Sequence, residues 1–231
     1  MSAERFTAQL IARTALSGRV HLLRFAARAP FRWAAGQHLV AVRSKGQELF
    51  LPYSIASAYD PQRPGEFELA VAVDAGADAI DQLSIGEELT IEGPSGAFVW
   101  QTEPRPSALL VGVGTGIAPL RALLEEELGR ASRTQLMLIA GHRAPEDVLF
   151  ADDFARLEQQ HARFRFVPTL TGASAAWSGD RGRVQARLRA AVQALGPLDA
   201  YVCGRLAMVS EVVSALEQDG VPAARIRSEG F

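Results

Sequence analysis

A run of glycines between an apolar strand and a helix constrains this chain more than any other feature. In the segment LLVGVGTGIAPLRALL, Gly112, Gly114 and Gly116 separate a predicted buried strand from a predicted helix. Glycines here let the backbone approach a ligand closely, and the helix start presents free N–H groups and the positive end of a dipole. We therefore predict a phosphate cradle, in which Thr115 and Pro119 flank the glycines.

Two well-known phosphate motifs do not fit this turn. The strict dinucleotide fingerprint G-x-G-x-x-G requires glycine at the position where this chain has Ile117. A P-loop requires Lys followed by Ser or Thr, and no such pair follows the glycines. A tight strand–helix turn without a ligand stays open as the alternative, but the glycines together with a threonine and a proline favour a nucleotide.

Strands and helices alternate from residue 108 to the end of the chain. Predicted strands lie at 108–111, 135–140, 163–168 and 200–203, and predicted helices lie at 117–128, 151–161, 184–195 and 206–218. Alternation at this length predicts a parallel sheet with right-handed crossovers, which is an α/β parallel-sheet nucleotide-binding domain. Because ligands bind beyond the carboxyl ends of such strands, Cys203 and Gly204 should border the same crevice as the glycine turn. Taken alone, Cys203 is more often a small buried apolar residue.

The first hundred residues follow a different pattern, in which short alternating runs are broken by turn-forming residues. The runs lie at 6–12, 20–26, 38–42, 48–57, 66–73 and 88–92. Their spacing predicts an antiparallel six-stranded β-barrel or a sandwich, with one brief helix at 77–83. The proline-containing segment Pro104–Pro106 is the natural boundary, so we predict domains at 1–103 and 104–231.

The composition is that of a folded protein without a polyanionic partner. Of the 231 residues, 48% are hydrophobic and 22% are charged, and the net charge of −2 gives no reason to expect nucleic acid. The start of the chain lacks the apolar stretch of a secretory signal, and no segment is apolar for long enough to span a membrane. We expect a cytoplasmic protein.

The cysteine and histidine content argues against a metal centre. Cys203 is the single cysteine, which excludes an internal disulfide and a four-cysteine iron–sulfur cluster on this chain. His21, His38, His142 and His161 form no i, i+4 ligand pair with a nearby acid. We expect no metal site.

Several segments, taken in order, resemble the ferredoxin–NADP reductase superfamily and, in size, its single-chain NAD(P)H–flavin oxidoreductases. AGQHLVAV resembles the P-G-Q strand of the family, LPYSIAS its R-x-Y-S flavin motif, and IEGPSGAF its G-P-x-G turn. VGVGTGIAPLRALL is similar to the G-G-T-G-I-A-P nucleotide turn, and AGHRAPEDVLF, WSGDRGRV and YVCGRLAMV follow in the order of the family. Each segment is a weak signal by itself, whereas the ordered set is specific and covers nearly the whole chain.

The resemblance implies a flavin against the segment FLPYSIAS. Tyr53 would stack on the flavin ring and Ser54 would offer its hydroxyl to flavin N5. Strict strand alternation would put these two side chains on opposite faces, and we expect Pro52 to cause a local departure from it. Gly93 of the G-P-x-G turn is assigned to the same cofactor site.

Two positions depart from the family pattern on the flavin side. The family has an arginine that pairs with the flavin phosphate where this chain has Leu51. Its G-x-x-S phosphate loop corresponds to AGADA, which keeps Gly76 but has no hydroxyl. Both changes remove favourable contacts to an anion, so we expect weaker retention of flavin or its use as a dissociable substrate.

The end of the chain, IRSEGF, resembles the E-x-Y ending of the plant-type reductases. Phe231 would cover the flavin and yield to nicotinamide, while Glu229 would lie near Ser54 and Cys203. A final strand with a frayed tail is the alternative. Cys203, Gly204 and Met208 are assigned to the nicotinamide side.

The resemblance implies a flavin-dependent oxidoreductase that takes hydride from NADH or NADPH to FAD, or to FMN. Ser54, Cys203 and Glu229 are its candidate catalytic residues. Electrons would pass on to a separate acceptor, which is free flavin, a ferredoxin-like carrier or a partner oxygenase. The alternative is a non-catalytic nucleotide-binding redox sensor, while a hydrolase is disfavoured because no G-x-S-x-G elbow is present.

Two segments bear on the choice between NADH and NADPH, and they point in opposite directions. Arg143, after the second parallel strand, favours a 2′-phosphate, whereas the Ser-Arg pair of the family corresponds to TLTGAS here, so NADH is slightly favoured. Four arginines follow in the segment DRGRVQARLR, namely Arg181, Arg183, Arg187 and Arg189. They could dock an acidic carrier, although a solvated basic face is the more common explanation.

Overall fold

The computed structural model describes residues 4–44, 46–73, 80–103 and 106–231, which form two six-stranded sheets. The first sheet is antiparallel and the second is parallel with helices packed against it. The predicted fold class, an antiparallel barrel followed by an α/β domain, is confirmed. The boundary at 103 and 104 stays a prediction.

The antiparallel strands follow the predicted alternation, because one side chain in two enters a common core. They are β1 (Glu4–Ser17), β2 (Val20–Ala27), β3 (His38–Ser44), β4 (Gln47–Ser54), β5 (Glu66–Ala72) and β6 (Glu88–Ser95). Their order across the sheet is β4-β3-β6-β1-β2-β5. A bridge between Ile55 and Leu69 joins the chain after β4 to β5, so the two outer strands meet and the sheet curls into a barrel.

Several predicted elements in this half differ from the structure, since β1 runs to Ser17 rather than to residue 12 and β6 to Ser95 rather than to residue 92. The fourth strand ends at Ser54 rather than at residue 57, because Ala56 and Ser57 turn away to bond with Glu68. In the predicted helix at 77–83, the part that the structure describes, 80–83, forms a turn closed by a hydrogen bond from Leu83 to Ile80.

The parallel sheet has the order β10-β9-β8-β7-β11-β12. Its strands are β7 (Ser107–Val113), β8 (Gln135–His142), β9 (Phe164–Leu170), β10 (Asp180–Arg181), β11 (Leu198–Gly204) and β12 (Ile226–Gly230). The helices are α1 (Ile117–Leu128), α2 (Ala151–Gln160), α3 (Gln185–Leu195) and α4 (Leu206–Gln218). β7 and β11 are buried on both faces, as expected for the centre of a parallel sheet covered by helices.

Two strands of this sheet were not part of the alternating prediction. β10 has two residues, and β12 is formed by the end of the chain. β12 pairs in parallel with β11, which sets Glu229 opposite Cys203. The C-terminal residues are therefore an ordered edge of the sheet.

The two sheets share a hydrophobic core that is centred on α1. Leu120, Leu123 and Leu124 of this helix pack with barrel residues that include Ala35 and Ala56. In the part of the chain that the structure describes, no helix is long and apolar enough to cross a membrane.

Candidate functional site between the two sheets

The glycine turn lies at the carboxyl ends of two central strands. Gly114–Gly116 form a single 3-10 turn after β7, and α1 begins at Ile117. Because Cys203 pairs with Gly112, the turn shares one edge of the sheet with Cys203 and Gly204. Ligands bind at this edge in open parallel sheets.

Two glycines of the turn allow close packing, and the third faces open space. A Cβ on Gly116 would lie 2.5 Å from the carbonyl oxygen of Cys203, and one on Gly112 would lie 2.7 Å from a methyl of Leu120. Gly114 has a φ of +55°, and nothing lies within 4 Å of the place its Cβ would take. The turn therefore offers room for a ligand beside the helix start, and its backbone fits a phosphate.

Thr115 and Pro119 play different parts at this turn. Thr115 is half-buried and lines the neighbouring cleft. Pro119 is buried at the third position of α1, where a missing N–H breaks no helical hydrogen bond. Pro119 thus shapes the helix start from within the core.

A cleft of about 1210 Å³ opens beside the turn. Its lining comes from both halves, including Arg19 of the barrel, the ends of β8 and β9, Met208 of α4 and the terminal Phe231. Small-molecule sites are typically roughly 300–1,000 Å³. A cleft of this size can hold a dinucleotide.

The end of β8 brings a buried histidine and an exposed arginine to the cleft. Burial lowers the pKa of His142 to about 4, so its ring is neutral at neutral pH. The carbonyl of Arg143 accepts a hydrogen bond from the N–H of Gly172 at 2.7 Å. The exposed Arg143 side chain supplies a positive charge near the strand end at which a nucleotide ribose or its phosphate binds in doubly wound folds.

The three candidate catalytic residues are brought together between the sheets. Ser54 ends β4, and its hydroxyl donates a hydrogen bond to the carboxylate of Glu229. Glu229 in turn lies beside Cys203 through the pairing of β12 with β11. A hydroxyl, a carboxylate and a thiol therefore form one contiguous set where the barrel meets the parallel sheet.

Burial governs the protonation of this set. Burial raises the pKa of Glu229, while His38 and the hydrogen bond from Ser54 act in the opposite direction. Burial, and then the charge of Glu229, raise the pKa of the fully buried Cys203 thiol. Cys203 is therefore a protonated thiol that packs and positions rather than a nucleophile.

His38 is a member of this cluster that the sequence reasoning missed. It pairs with Ser54 across β3 and β4, and it lies close enough to Glu229 to lower the pKa of that carboxyl. Its Nε2 lies 3.1 Å from the Ser95 hydroxyl, and its buried Nδ1 has no partner among the described residues. The sequence feature that could have identified His38 was its position in AGQHLVAV, the segment that resembles the P-G-Q strand of the family.

The expected departure from strand alternation at Pro52 is absent. β4 pairs with β3 without interruption from Pro52 through Tyr53 to Ser54, and the register shift lies earlier on β4, where residues 49 and 50 together face Val42 of β3. Tyr53 packs partly against the barrel core, whereas Ser54 reaches Glu229 in the other sheet. Regular pleating therefore sends the two side chains to different surroundings.

The remaining flavin-side candidates occupy varied surroundings. Leu51 packs partly against the barrel core, in line with Tyr53. A Cβ on Gly93 would lie 2.9 Å from Leu39, so this glycine lets β6 approach β3 closely. Gly76 lies outside the described residues.

The arginines around α3 have local partners. Arg187 pairs with Asp180 at 2.9 Å and Arg189 with Asp219 at 2.9 Å, while Arg183 lies 4.0 Å from Glu211. Arg181 donates to backbone carbonyls of its own loop. These local pairs are consistent with the solvated basic face that the sequence favoured, and the docking of an acidic carrier stays a prediction.

Across residues 4–44, 46–73, 80–103 and 106–231, no group of three or more His, Cys, Asp or Glu could hold a metal ion.

Comparison with known proteins agrees with this geometry. Residues 7–100 match the family model for the oxidoreductase FAD-binding domain, and residues 110–214 match the model for the oxidoreductase NAD-binding domain. The two matches define an oxidoreductase that binds FAD and a nicotinamide nucleotide.

The chain belongs to the ferredoxin–NADP reductase superfamily. It is 32% identical over 244 residues to ferredoxin–NADP reductase B of Sorangium cellulosum, with 100% of this chain and 99% of that protein covered. It is 29% identical to CDP-6-deoxy-L-threo-D-glycero-4-hexulose-3-dehydrase reductase of Yersinia pestis, but it covers 63% of that longer protein.

Solved structures share the fold along almost the entire chain. The cytochrome P450 reductase GcoB of Amycolatopsis superimposes with a TM-score of 0.88 at 25% identity, over 99% of this chain and 70% of that one. A ferredoxin NADP+ reductase from Neisseria gonorrhoeae with bound FAD and NADP gives a TM-score of 0.82 at 22% identity, over 98% of both chains.

Proposed function

We propose that this chain transfers hydride from a reduced nicotinamide nucleotide to a flavin, preferentially FAD, and that electrons then leave for a separate acceptor. The observation that carries the proposal is the set of Ser54, Glu229 and Cys203 at the junction of the two sheets, beside an open glycine turn. When both cofactors are bound, the reduced nicotinamide would supply hydride and the flavin would accept it, so that the nucleotide is oxidised and the flavin reduced.

On the nucleotide side, the backbone does most of the binding. Gly114 leaves space for the pyrophosphate beside Thr115 at the start of α1, where the first N–H groups of a helix have no partner within the helix. Gly116 allows the turn to lie directly on the backbone of Cys203 and Gly204. The nicotinamide end is thereby directed toward the gap that Phe231 borders.

Between the sheets, Ser54 and Glu229 hold and move a proton. The Ser54 hydroxyl donates to Glu229 and can turn to donate to a flavin nitrogen instead. Because the pKa of Glu229 is raised, this carboxyl can hold a proton more readily than an exposed acid. Met208 lines the cleft, and the fully buried Cys203 with Gly204 backs it from the end of β11, so these residues would shield the nicotinamide from water.

On the flavin side, retention should be weak. Leu51 occupies the place of the phosphate-pairing arginine and packs against the barrel core. A flavin bound without that charge dissociates more readily. Free flavin is accordingly one of the acceptors, beside a carrier protein or a partner oxygenase such as the relatives' names suggest. Those names are reductase names, which favours an enzyme over a non-catalytic sensor.

The direct test is a titration of the purified protein with FAD and with FMN, followed by anaerobic mixing with NADH or NADPH. We expect FAD to bind and its visible absorbance to bleach with at least one of the two nucleotides. A protein that binds nucleotide yet bleaches neither flavin with either reductant contradicts the proposal.

A further inference from the structure

The first helix of the parallel-sheet half carries a buried arginine that reaches into the barrel. Arg121 of α1 donates through its Nη1 to the carbonyl of Ala56 at 2.8 Å and to the carboxylate of Glu68 at 2.8 Å. Its Nη2 lies 3.0 Å from Glu125 and 3.2 Å from Asp153 of α2. One guanidinium thus joins two elements of its own half to two positions of the barrel.

The barrel side of this contact is itself fixed. Glu68 is 6% exposed, and its other oxygen accepts from Arg24 of β2 at 2.7 Å. The backbone of Glu68 also holds the chain after β4, since its carbonyl accepts from Ala56 and its N–H donates to the Ser57 hydroxyl. β5 is therefore hydrogen-bonded to the segment after β4 that Arg121 also contacts.

Two carboxylates of α1 strengthen the same junction. Glu125 accepts the N–H of Ala58 at 3.0 Å, and Glu126 accepts the N–H of Ala35 at 3.2 Å. We call the side chains of Glu68, Arg121 and Glu125, with the backbone of 56–58, the interdomain clamp. Each link of the clamp between the two halves is a charge-assisted hydrogen bond, which is the stronger kind.

The clamp lies close to both parts of the candidate site. Ala56 follows Ser54 by two residues, and Arg121 lies four residues past Ile117, a rise of about 6 Å along the helix from the start of α1. The helix start is the nucleotide turn, and Ser54 reaches Glu229. The clamp therefore lies between the nucleotide turn and the strand end that carries Ser54.

The energetics favour a role in geometry over a role in stability. Taking an ion pair out of water costs about as much as the pair returns, so a buried ion network contributes little net stability. It does fix direction, because a guanidinium forms its hydrogen bonds in a rigid fork. The hydrophobic contact between α1 and the barrel sets no single direction, whereas the two hydrogen bonds from Nη1 of Arg121 to Ala56 and Glu68 do.

We propose that Arg121 and Glu68 are positioning residues, which hold the barrel and the parallel sheet at the orientation that hydride transfer requires. The inference rests on the proposed function, because the benefit of a fixed orientation is the alignment of two cofactors. A misplacement of about 1 Å between reacting groups lowers a rate about 100-fold. Loss of the clamp should therefore act on the hydride-transfer step more than on the binding of either cofactor.

The test compares Glu68→Gln with Asp153→Asn. Each variant replaces one carboxylate partner of Arg121 by an amide, but Glu68 crosses between the halves and Asp153 does not. Glutamine keeps one acceptor and turns an NH2 group toward one of the two arginines. For Glu68→Gln in the FAD-loaded chain, we expect the limiting rate of anaerobic hydride transfer to fall about 10-fold with nucleotide Kd within about 2-fold. Asp153→Asn should stay within about 2-fold of the parent for both quantities.

A second measurement reports orientation without any cofactor. Spin labels on cysteines introduced at the exposed Thr14 of β1 and Gln193 of α3 give the distance distribution between the halves by pulsed electron paramagnetic resonance. The native Cys203 is fully buried and does not compete for the label. We expect a broader or shifted distribution for Glu68→Gln and an unchanged one for Asp153→Asn.

The two readouts separate the possible failures. If the parent protein transfers no hydride, the proposed function falls, and the label distances still decide whether the clamp orients the halves. If Glu68→Gln keeps the parent distances, or if both variants change alike, the positioning role is overturned. A lower melting temperature with unchanged rate and distances also overturns it, because that result assigns Glu68 to stability alone.

Discussion

The proposed nucleotide side and the proposed flavin side of the site are built in different ways. The nucleotide side depends on backbone, since Gly112, Gly114 and Gly116 place a turn against β11 with one open position. The flavin side depends on side chains from several strands, and at Leu51 it carries an apolar residue where the family has a charge. A backbone cradle is specified by one short segment, whereas a side-chain pocket is assembled from distant ones.

This difference indicates which positions can be substituted while the fold is kept. A side chain on the surface of a barrel can change from arginine to leucine while the strand stays intact. A glycine under a close backbone contact can change only if the neighbouring backbone moves, because the added Cβ has no space. Substitutions in the two regions should therefore differ in size and in kind.

The largest effect is expected at Gly116. In Gly116→Ala the new Cβ would lie 2.5 Å from the Cys203 oxygen and 2.7 Å from the Gly204 Cα, so the turn or β11 must move by about 1 Å. We expect hydride transfer to fall roughly 100-fold, with weaker nucleotide binding, in stopped-flow measurements. Gly18→Ala is the control, since nothing lies within 4 Å of its Cβ position. Equal behaviour of the two variants would show that the close contact has no part in the site.

The next effect concerns Ser54, where the two sides meet. Ser54→Ala removes the hydroxyl that donates to Glu229, and we expect the hydride-transfer rate to fall about 10-fold while nucleotide Kd stays within about 2-fold. Single-turnover reduction and equilibrium titration measure the two quantities separately. Unchanged reduction in this variant would remove Ser54 from the mechanism.

The predictions from sequence were most accurate for elements whose bounds are set by residues close to them in the chain. The helices at 117–128 and 206–218 have the predicted bounds, because a glycine turn or a strand end fixes their start. The end of the fourth strand was placed too late, since the turn at Ala56 depends on hydrogen bonds to the distant Glu68. Local pattern carries no information about such partners.

Residues whose roles depend on pairing across the fold could not be found from local pattern. His38 joins the cluster because β3 pairs with β4 in a register that sets it opposite Ser54. Glu229 was assigned through the resemblance of the chain end, and the structure adds its parallel pairing with Cys203. Arg121 read as an ordinary helical residue, and its contact with Glu68 appears only when the halves are packed together.

On the flavin side, an arginine at position 51 should restore the positive charge that the family pattern has there. Leu51→Arg places a cation in line with Tyr53, and we expect FAD to bind about 5-fold more tightly through a charge-assisted hydrogen bond, discounted for exposure. Fluorescence titration measures the change. Phe50→Arg is the matched control, because this neighbouring side chain is 71% exposed and follows the opposite face of β4. The same gain in both variants would indicate a general charge effect rather than a phosphate contact.

The smallest expected effect is a pH dependence of stability at Glu229, which lies between the two sides. Burial raises the pKa of its carboxyl above the ordinary value of 4.5, so near that pH the folded protein binds more protons than the unfolded chain. Unfolding free energy therefore decreases as the pH rises from the unfolded pKa to the folded pKa, since the charged form is disfavoured by burial. We expect Glu229→Gln to match the parent below this window and to exceed its melting temperature above it. Melting curves of both proteins between about pH 4 and 8 measure the difference, and Glu217→Gln at an exposed site of α4 controls for the loss of one charge. A constant difference across this range would mean that the carboxyl is as well solvated in the fold as in the unfolded chain, and that the gap between barrel and sheet is open to water.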